Sequence, residues 1–300
     1  MLGSATHTFF ALPELVFLLS TYVPKSDLTQ CILVCKEWSR HFQLQLWAVL
    51  TLDYRFIELT NAAPSPTTMA LTRNLGHLRE VIFPDSDLPH LQLLIQGLPG
   101  QPNDTVTQPG SLSTNLKRID FSYDVEAEHD HDHLGLITKP LLTLLNNNPR
   151  LTYLRVFVEM TEIEGIAAAL SKLLHLQHLT IDSDFNPDDI AEPLLFLRSC
   201  LALPELTELH FVNGTQMHWD NGDETTVRRE LQAVIHEASV VRFSRSSNAK
   251  KIKYLTFPSS YHGRKNPLPL LLFKSGLLDL TKMEILGFGP DASIKEIELV

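Results

Sequence analysis

"RLTYLRV" (150–156) and "HLQHLTI" (175–181) share one pattern: a polar residue, then apolar-x-x-apolar-x-apolar. The pattern also occurs as "HLREVIF" (77–83), "NLKRIDF" (115–121), "ELTELHF" (205–211), "KIKYLTF" (251–257), "KMEILGF" (282–288) and "SIKEIEL" (293–299). In each copy the last two apolar residues flank a single strand position. Side chains alternate across a strand, so both point into the same core and the residue between them points away. The intervals between starting positions are 38, 35, 25, 30, 46, 31 and 11 residues, a loose period that leaves room for a helix between most copies.

Helical spacing is present in those intervals. "LGLITKPLLTLLNNNP" (134–149), "EGIAAALSKLL" (164–174), "IAEPLLFLRSCLALP" (190–204) and "TTVRRELQAVIHEASVV" (225–241) place apolar residues every three or four positions. "LWAVLTLDY" (46–54) supplies an earlier strand. Short strand, helix, short strand, with Leu-x-x-Leu-x-Leu at each strand, resembles an irregular leucine-rich repeat solenoid, and this implies an α/β fold with parallel strands on one side and helices on the other. The residues facing outward are then Glu80, Arg118, Asp120, Tyr153, Arg155, His178, Thr180, Glu208, His210, Tyr254 and Thr256. They are polar, mixed in charge and include two tyrosines, a composition suited to holding another protein and equally to a solvated sheet face.

The first 48 residues differ in character. Leu12-Pro13-Glu14 reads as a helix start, with proline in the first turn where its missing N–H costs nothing. Leu15, Leu18, Leu19, Tyr22 and Val23 recur at helical spacing, and Pro24 closes the segment. Ser26 or Asp27 can cap a second helix, in which Leu28, Cys31, Ile32, Cys35 and Trp38 form one stripe. Cysteine on such a stripe behaves as a small hydrophobe, and neither a C-x-x-C pair nor a full zinc ligand set accompanies it.

The stretch "LPELVFLLSTYVPKSDLTQCILVCKEW" (12–38) resembles an F-box. Leu12-Pro13, Asp27-Leu28 and Val34-Cys35-Lys36-Glu37-Trp38 carry the resemblance, and Gln45-Leu46-Trp47 follows at a familiar distance. The resemblance implies a small helical module over 1–48 that docks on the Skp subunit of a cullin–RING ubiquitin ligase, and a repeat domain over 49–300. Leu12, Pro13, Leu15, Leu19, Leu28, Val34, Cys35 and Trp38 are then the partner-binding residues. A module of this size has too little interior to hide its apolar residues, so some remain for a partner. The implied function is a substrate-recruiting adaptor with the outward sheet residues holding an unknown substrate protein; a ligase-independent scaffold, its helices merely capping the repeats, is the alternative.

Composition narrows the remaining classes. The formal net charge is −10, and all of the excess lies beyond residue 48. Residues 120–132 hold six acidic residues and no Lys or Arg, whereas 242–265 hold seven basic residues and no Asp or Glu. An acidic total opposes general nucleic-acid binding, which depends on many phosphate contacts. Three cysteines (31, 35 and 200) form no disulfide framework, and sequons at Asn103 and Asn213 carry no weight without a secretory signal. "FFALPELVFLL" (9–19) lacks a basic flank and is broken by Pro13-Glu14, so no signal peptide is expected; no segment has the length of a membrane span. A cytoplasmic or nuclear location is expected.

Residues 99–114 have the composition of a flexible insertion. His129, His131 and His133 alternate with carboxylates, yet a loop has no fixed ligand geometry, and no physiological metal is expected there. No G-x-S-x-G, Walker-type, G-x-G-x-x-G or H-E-x-x-H motif is present. The expectation is a protein without catalysis or cofactors.

Overall fold

A computed structural model describes residues 12–52, 70, 73–83, 115–121, 134–158, 163–183, 196–197, 199–212, 252–257 and 283–288. Three helices come first: α1 (Pro13–Tyr22), α2 (Lys25–Cys31) and α3 (Lys36–Leu46). An eight-stranded parallel sheet follows, made of β1 (Val49–Thr51), β2 (Glu80–Phe83), β3 (Arg118–Phe121), β4 (Tyr153–Val158), β5 (His178–Ser183), β6 (Glu208–Phe211), β7 (Tyr254–Phe257) and β8 (Ile285–Phe288). Strand order in space equals order in sequence, and every neighbour is parallel. Parallel neighbours require a crossover. Helix α4 (Leu134–Asn147) lies between β3 and β4, and α5 (Ile163–Leu170) between β4 and β5.

Seven of the eight repeated heptapeptides contribute β2 to β8, and residues 49–51 form the earlier strand. The copy at 293–299 and the helical pattern at 225–241 lie outside the described residues, as do residues 99–114, Asn213, and His129, His131 and His133. Register aligns the copies position by position, with Val81, Ile119, Leu154, Leu179, Leu209 and Leu255 in one buried row. Phe83, Phe121, Val156, Ile181 and Phe211 form the next. The leucine opening each copy is buried too: Leu78, Leu116, Leu151, Leu176, Leu206 and, in the same place, Ile252. Leu141, Leu144 and Leu145 of α4, Ile166, Ala169 and Leu170 of α5, and Phe196, Leu197, Cys200 and Leu201 join the same core, so helices cover this side of the sheet. Gly165 permits α5 to close on α4, because a Cβ there would stand 3.2 Å from Leu142 Cδ1.

One backbone device repeats at every step. The carbonyl just before each strand accepts two amides from the next copy: Ala48 from Arg79 and Glu80, Arg79 from Lys117 and Arg118, Lys117 from Thr152 and Tyr153. The series continues through Thr152, Gln177, Thr207 and Lys253. Asn148 adds a side-chain version: its amide donates to the Leu144 carbonyl at 2.8 Å and its Oδ1 accepts from the Leu116 amide at 2.9 Å. It satisfies the end of α4 and the start of β3 with one buried group.

The helices hold a core of their own, with Val16, Leu28 and Phe42 buried and Leu19, Val23, Cys31, Ile32, Trp38 and Leu46 partly so. Trp38 stacks on Phe42 at 5.1 Å between ring centres. Two expectations for this region need correction. The second helix begins at Lys25 with Pro24 at its N-cap, rather than at Ser26 or Asp27. It also ends at Cys31, so Leu28 and Trp38 are not on one continuous helix. Ile32 and Val34 are β-branched and poor helix formers. Cys35 is extended (φ −161°, ψ 170°) and opens α3, which leaves it exposed rather than on a buried stripe.

The two parts are joined. Lys25 Nζ donates to the Val49 carbonyl at 2.7 Å, Gln43 Nε2 to Asn74 Oδ1 at 3.2 Å, and Trp47 packs against the sheet's core. Burial beneath this contact lowers the Lys25 ammonium pKa. Among the described residues no helix is long and apolar enough to cross a membrane.

Candidate functional site

Strand pleating places the residues between the core positions on the face away from the helices. Register then lines them up in two rows across the sheet. The first runs Glu80, Arg118, Tyr153, His178, Glu208, Tyr254, Ile285; the second runs Ile82, Asp120, Arg155, Thr180, His210, Thr256, Gly287. All eleven residues expected to face outward (Glu80, Arg118, Asp120, Tyr153, Arg155, His178, Thr180, Glu208, His210, Tyr254 and Thr256) therefore lie side by side. Beside Glu80 the first row reaches Val49 of β1, the outermost strand.

The contacts form two clusters. In the first, Arg118 Nη2 donates to Asp120 Oδ2 at 2.7 Å while its guanidinium lies 3.8 Å from the centre of the Tyr153 ring. Tyr153 Oη is 3.5 Å from the same carboxylate oxygen, and Arg155 Nη1 is 4.0 Å from Asp120 Oδ1. In the second, Glu208 Oε2 faces two imidazoles, His178 Nδ1 at 2.7 Å and His210 Nε2 at 3.5 Å. The other nitrogen of His210 meets Thr256 Oγ1 at 2.8 Å. Tyr153 and His178, 6.1 Å apart between ring centres, connect the clusters. Thr180 is buried between them, and Tyr254 donates to Glu284 at 3.2 Å. Asp182, one pleat further along β5, is buried on the same face and was not foreseen; its strand extends two residues past the repeat pattern.

A second surface lies on the helices. Leu12, Phe17, Leu18 and Tyr22 of the first helical segment and Leu33 and Val34 of the turn before α3 are all exposed, Tyr22 and Leu33 to 78% and Val34 to 62%. Of the eight residues expected to meet a partner, Leu12, Pro13, Val34 and Cys35 are exposed, and Leu15, Leu19 and Trp38 are half-buried. Leu28 is 4% exposed and belongs to the helical core; it is an interior residue. Phe17, Leu18, Tyr22 and Leu33 are exposed instead. Sequence spacing alone does not separate these from the inward residues, because α1 is apolar nearly all round and Val16, not Leu18, faces α3.

Among the described residues no three His, Cys, Asp or Glu side chains converge as a metal site. No protein-family model and no curated protein matches the sequence.

Proposed function

We propose that the chain is a substrate-recruiting adaptor of a Skp–cullin–F-box ubiquitin ligase, with an F-box-like module (1–48) docking on the Skp subunit and a leucine-rich-repeat solenoid (49–300) presenting its polar face to a substrate protein. The observation that carries the reading is the exposure of Leu12, Phe17, Leu18, Tyr22, Leu33 and Val34 on a helical unit whose own core is Val16, Leu28 and Phe42. Burying a large apolar side chain is worth roughly 1.5–3 kcal/mol, and exposed large apolar side chains concentrated on so small a unit mark an interaction surface. The sequential parallel sheet supports the solenoid reading. Catalysis in this scheme is proximity: the adaptor holds a lysine of its cargo near a charged conjugating enzyme and performs no chemistry itself. It acts in the cytoplasm or nucleus.

Capture of the Skp subunit by the full chain tests this. Leu33→Asp with Val34→Asp, or Leu12→Ala with Pro13→Ala, abolishes capture with an unchanged melting curve. Retained capture by both double variants, or none by the wild type, overturns the proposal.

A second reading, a ligase-independent scaffold, is favoured by the bonds from Lys25 and Gln43 to the sheet side, which are those of a structural cap. It requires that the full chain ignore the Skp subunit.

A further inference from the structure

The guanidiniums of Arg118 and Arg155 are incompletely used. Both Nε atoms are shut off from solvent and have no hydrogen-bond acceptor among the described residues. Glu80 Oε2 approaches Arg118 Nε only to 4.0 Å, beyond hydrogen-bond reach. Asp120 is the acid shared by both cations, and it engages them unequally: 2.7 Å to Arg118 and 4.0 Å to Arg155. A buried cationic N–H without an acceptor is unfavourable and in a native protein calls for a partner. Arg118 is held by Asp120 and by the Tyr153 ring, whereas among the described residues Arg155 has only the 4.0 Å approach to Asp120.

We propose that the middle of the polar sheet face binds an anionic group, a carboxylate or phosphoryl carried on a segment of a bound protein, with Arg155 as principal donor and Arg118 as second. The inference rests on the reading that this face holds the cargo. A rotamer change at Arg155 turns its Nε–Nη edge outward, and that planar edge matches two oxygens of a carboxylate or phosphate. Side-chain rearrangements of this kind are common on binding. Glu80 and Asp120 both lie beside Arg118, whereas Arg155 has only the 4.0 Å approach to Asp120, so the under-used cationic donor that an incoming anion meets is Arg155. Tyr153 is the register partner of Arg118 and Thr180 that of Arg155, which places a hydroxyl-bearing side chain beside each guanidinium.

Three fluorescein-labelled octapeptides test this on the full chain at low salt: alternating Glu-Gly, phosphoserine-Gly and Gln-Gly. At least one anionic peptide binds about tenfold or more tightly than the Gln peptide, as charge-assisted hydrogen bonding predicts. Which one does so separates the carboxylate from the phosphoryl source. Arg155→Gln removes the difference, Arg155→Lys keeps part of it because charge remains without the fork, and Lys253→Gln leaves it unchanged. In the wild type the arginine Nε–Hε resonances of Arg155 and Arg118 shift on addition of the anionic peptide, a readout that needs no variant to fold. Equal binding of all three peptides, undiminished binding by Arg155→Gln, or unmoved Nε–Hε resonances overturns the inference. Capture of the Skp subunit is read on the same preparations through the helices. A chain that captures it yet ignores anionic peptides overturns this inference alone, and the reverse result overturns the adaptor reading alone.

Discussion

Asn148 and the cysteines show how much one side chain decides. Asn148 bonds the Leu144 carbonyl and the Leu116 amide while almost wholly buried. Asn148→Ala strands both groups, and the expected loss is about 2 kcal/mol, read from urea unfolding. Burial pushes the Cys200 thiol far above its ordinary range, whereas Cys35 stands in solvent. Iodoacetamide at mildly alkaline pH therefore labels Cys35 in the native protein and reaches Cys200 only after unfolding, as peptide mass mapping will show. Lys253 and Glu284 meet at 2.9 Å; hydrogen bonding holds the ammonium above its usual range and the carboxyl below. Their mutual stabilisation is present between those two ranges. It disappears as pH falls through the lowered Glu284 value or rises through the raised Lys253 value. A double-mutant cycle of Lys253→Met and Glu284→Gln gives a small favourable coupling at neutral pH that vanishes in strong acid and shrinks in high salt. Apart from the local Asn148–Leu144 bond, the spacing of the sequence betrays none of these pairings, because the others join residues made neighbours by the fold.

At the level of elements, the repeated strand is the unit that makes the molecule regular. Its inward residues were legible from the heptapeptide pattern, since alternation is a local property of an extended chain. Phe83 and Phe121 are neighbours in one inward row, their rings 5.3 Å apart between centres and tilted by 55°. Phe121→Ala opens a cavity in that row and is expected to cost about 3–5 kcal/mol in chemical unfolding. The helices were less legible. The stripe from Leu28 to Trp38 has helical spacing, yet the chain turns through Ile32, Leu33 and Val34 before α3 begins. Stopping there puts Leu33 and Val34 in solvent, where the proposed partner docks. Similarly, α5 ends at Leu170 rather than continuing to 174: tight turns at Leu173 and Leu176 deliver the next leucine to the core.

For the whole molecule, the junction between helices and sheet governs behaviour. Lys25, Gln43 and Trp47 tie the helical core to the strand side, so the helices and the polar face are held in one arrangement. Thermal unfolding of a Trp219→Phe variant followed by tryptophan fluorescence, which then reports Trp38 and Trp47, is expected to coincide with the loss of far-UV circular dichroism. Lys25→Met combined with Gln43→Ala weakens the tie and lowers the fluorescence midpoint below the dichroism midpoint. The sheet ends asymmetrically: Leu286 occupies the inward row at β8 yet is 38% exposed, while Leu255 beside it is fully buried.

The amino-acid sequence by itself determined that the strands recur, which of their residues enter the core, and which eleven stand together on the opposite face, because a pleated strand alternates with a period of two wherever it occurs. Only the tertiary structure decided that Asp120 serves two arginines, that Glu208 lies between two histidines, and that Leu28 is interior while Leu33 is open. Those outcomes depend on register between strands about thirty residues apart and on which helix faces meet. Both are set by packing between distant segments, and local periodicity carries no record of them.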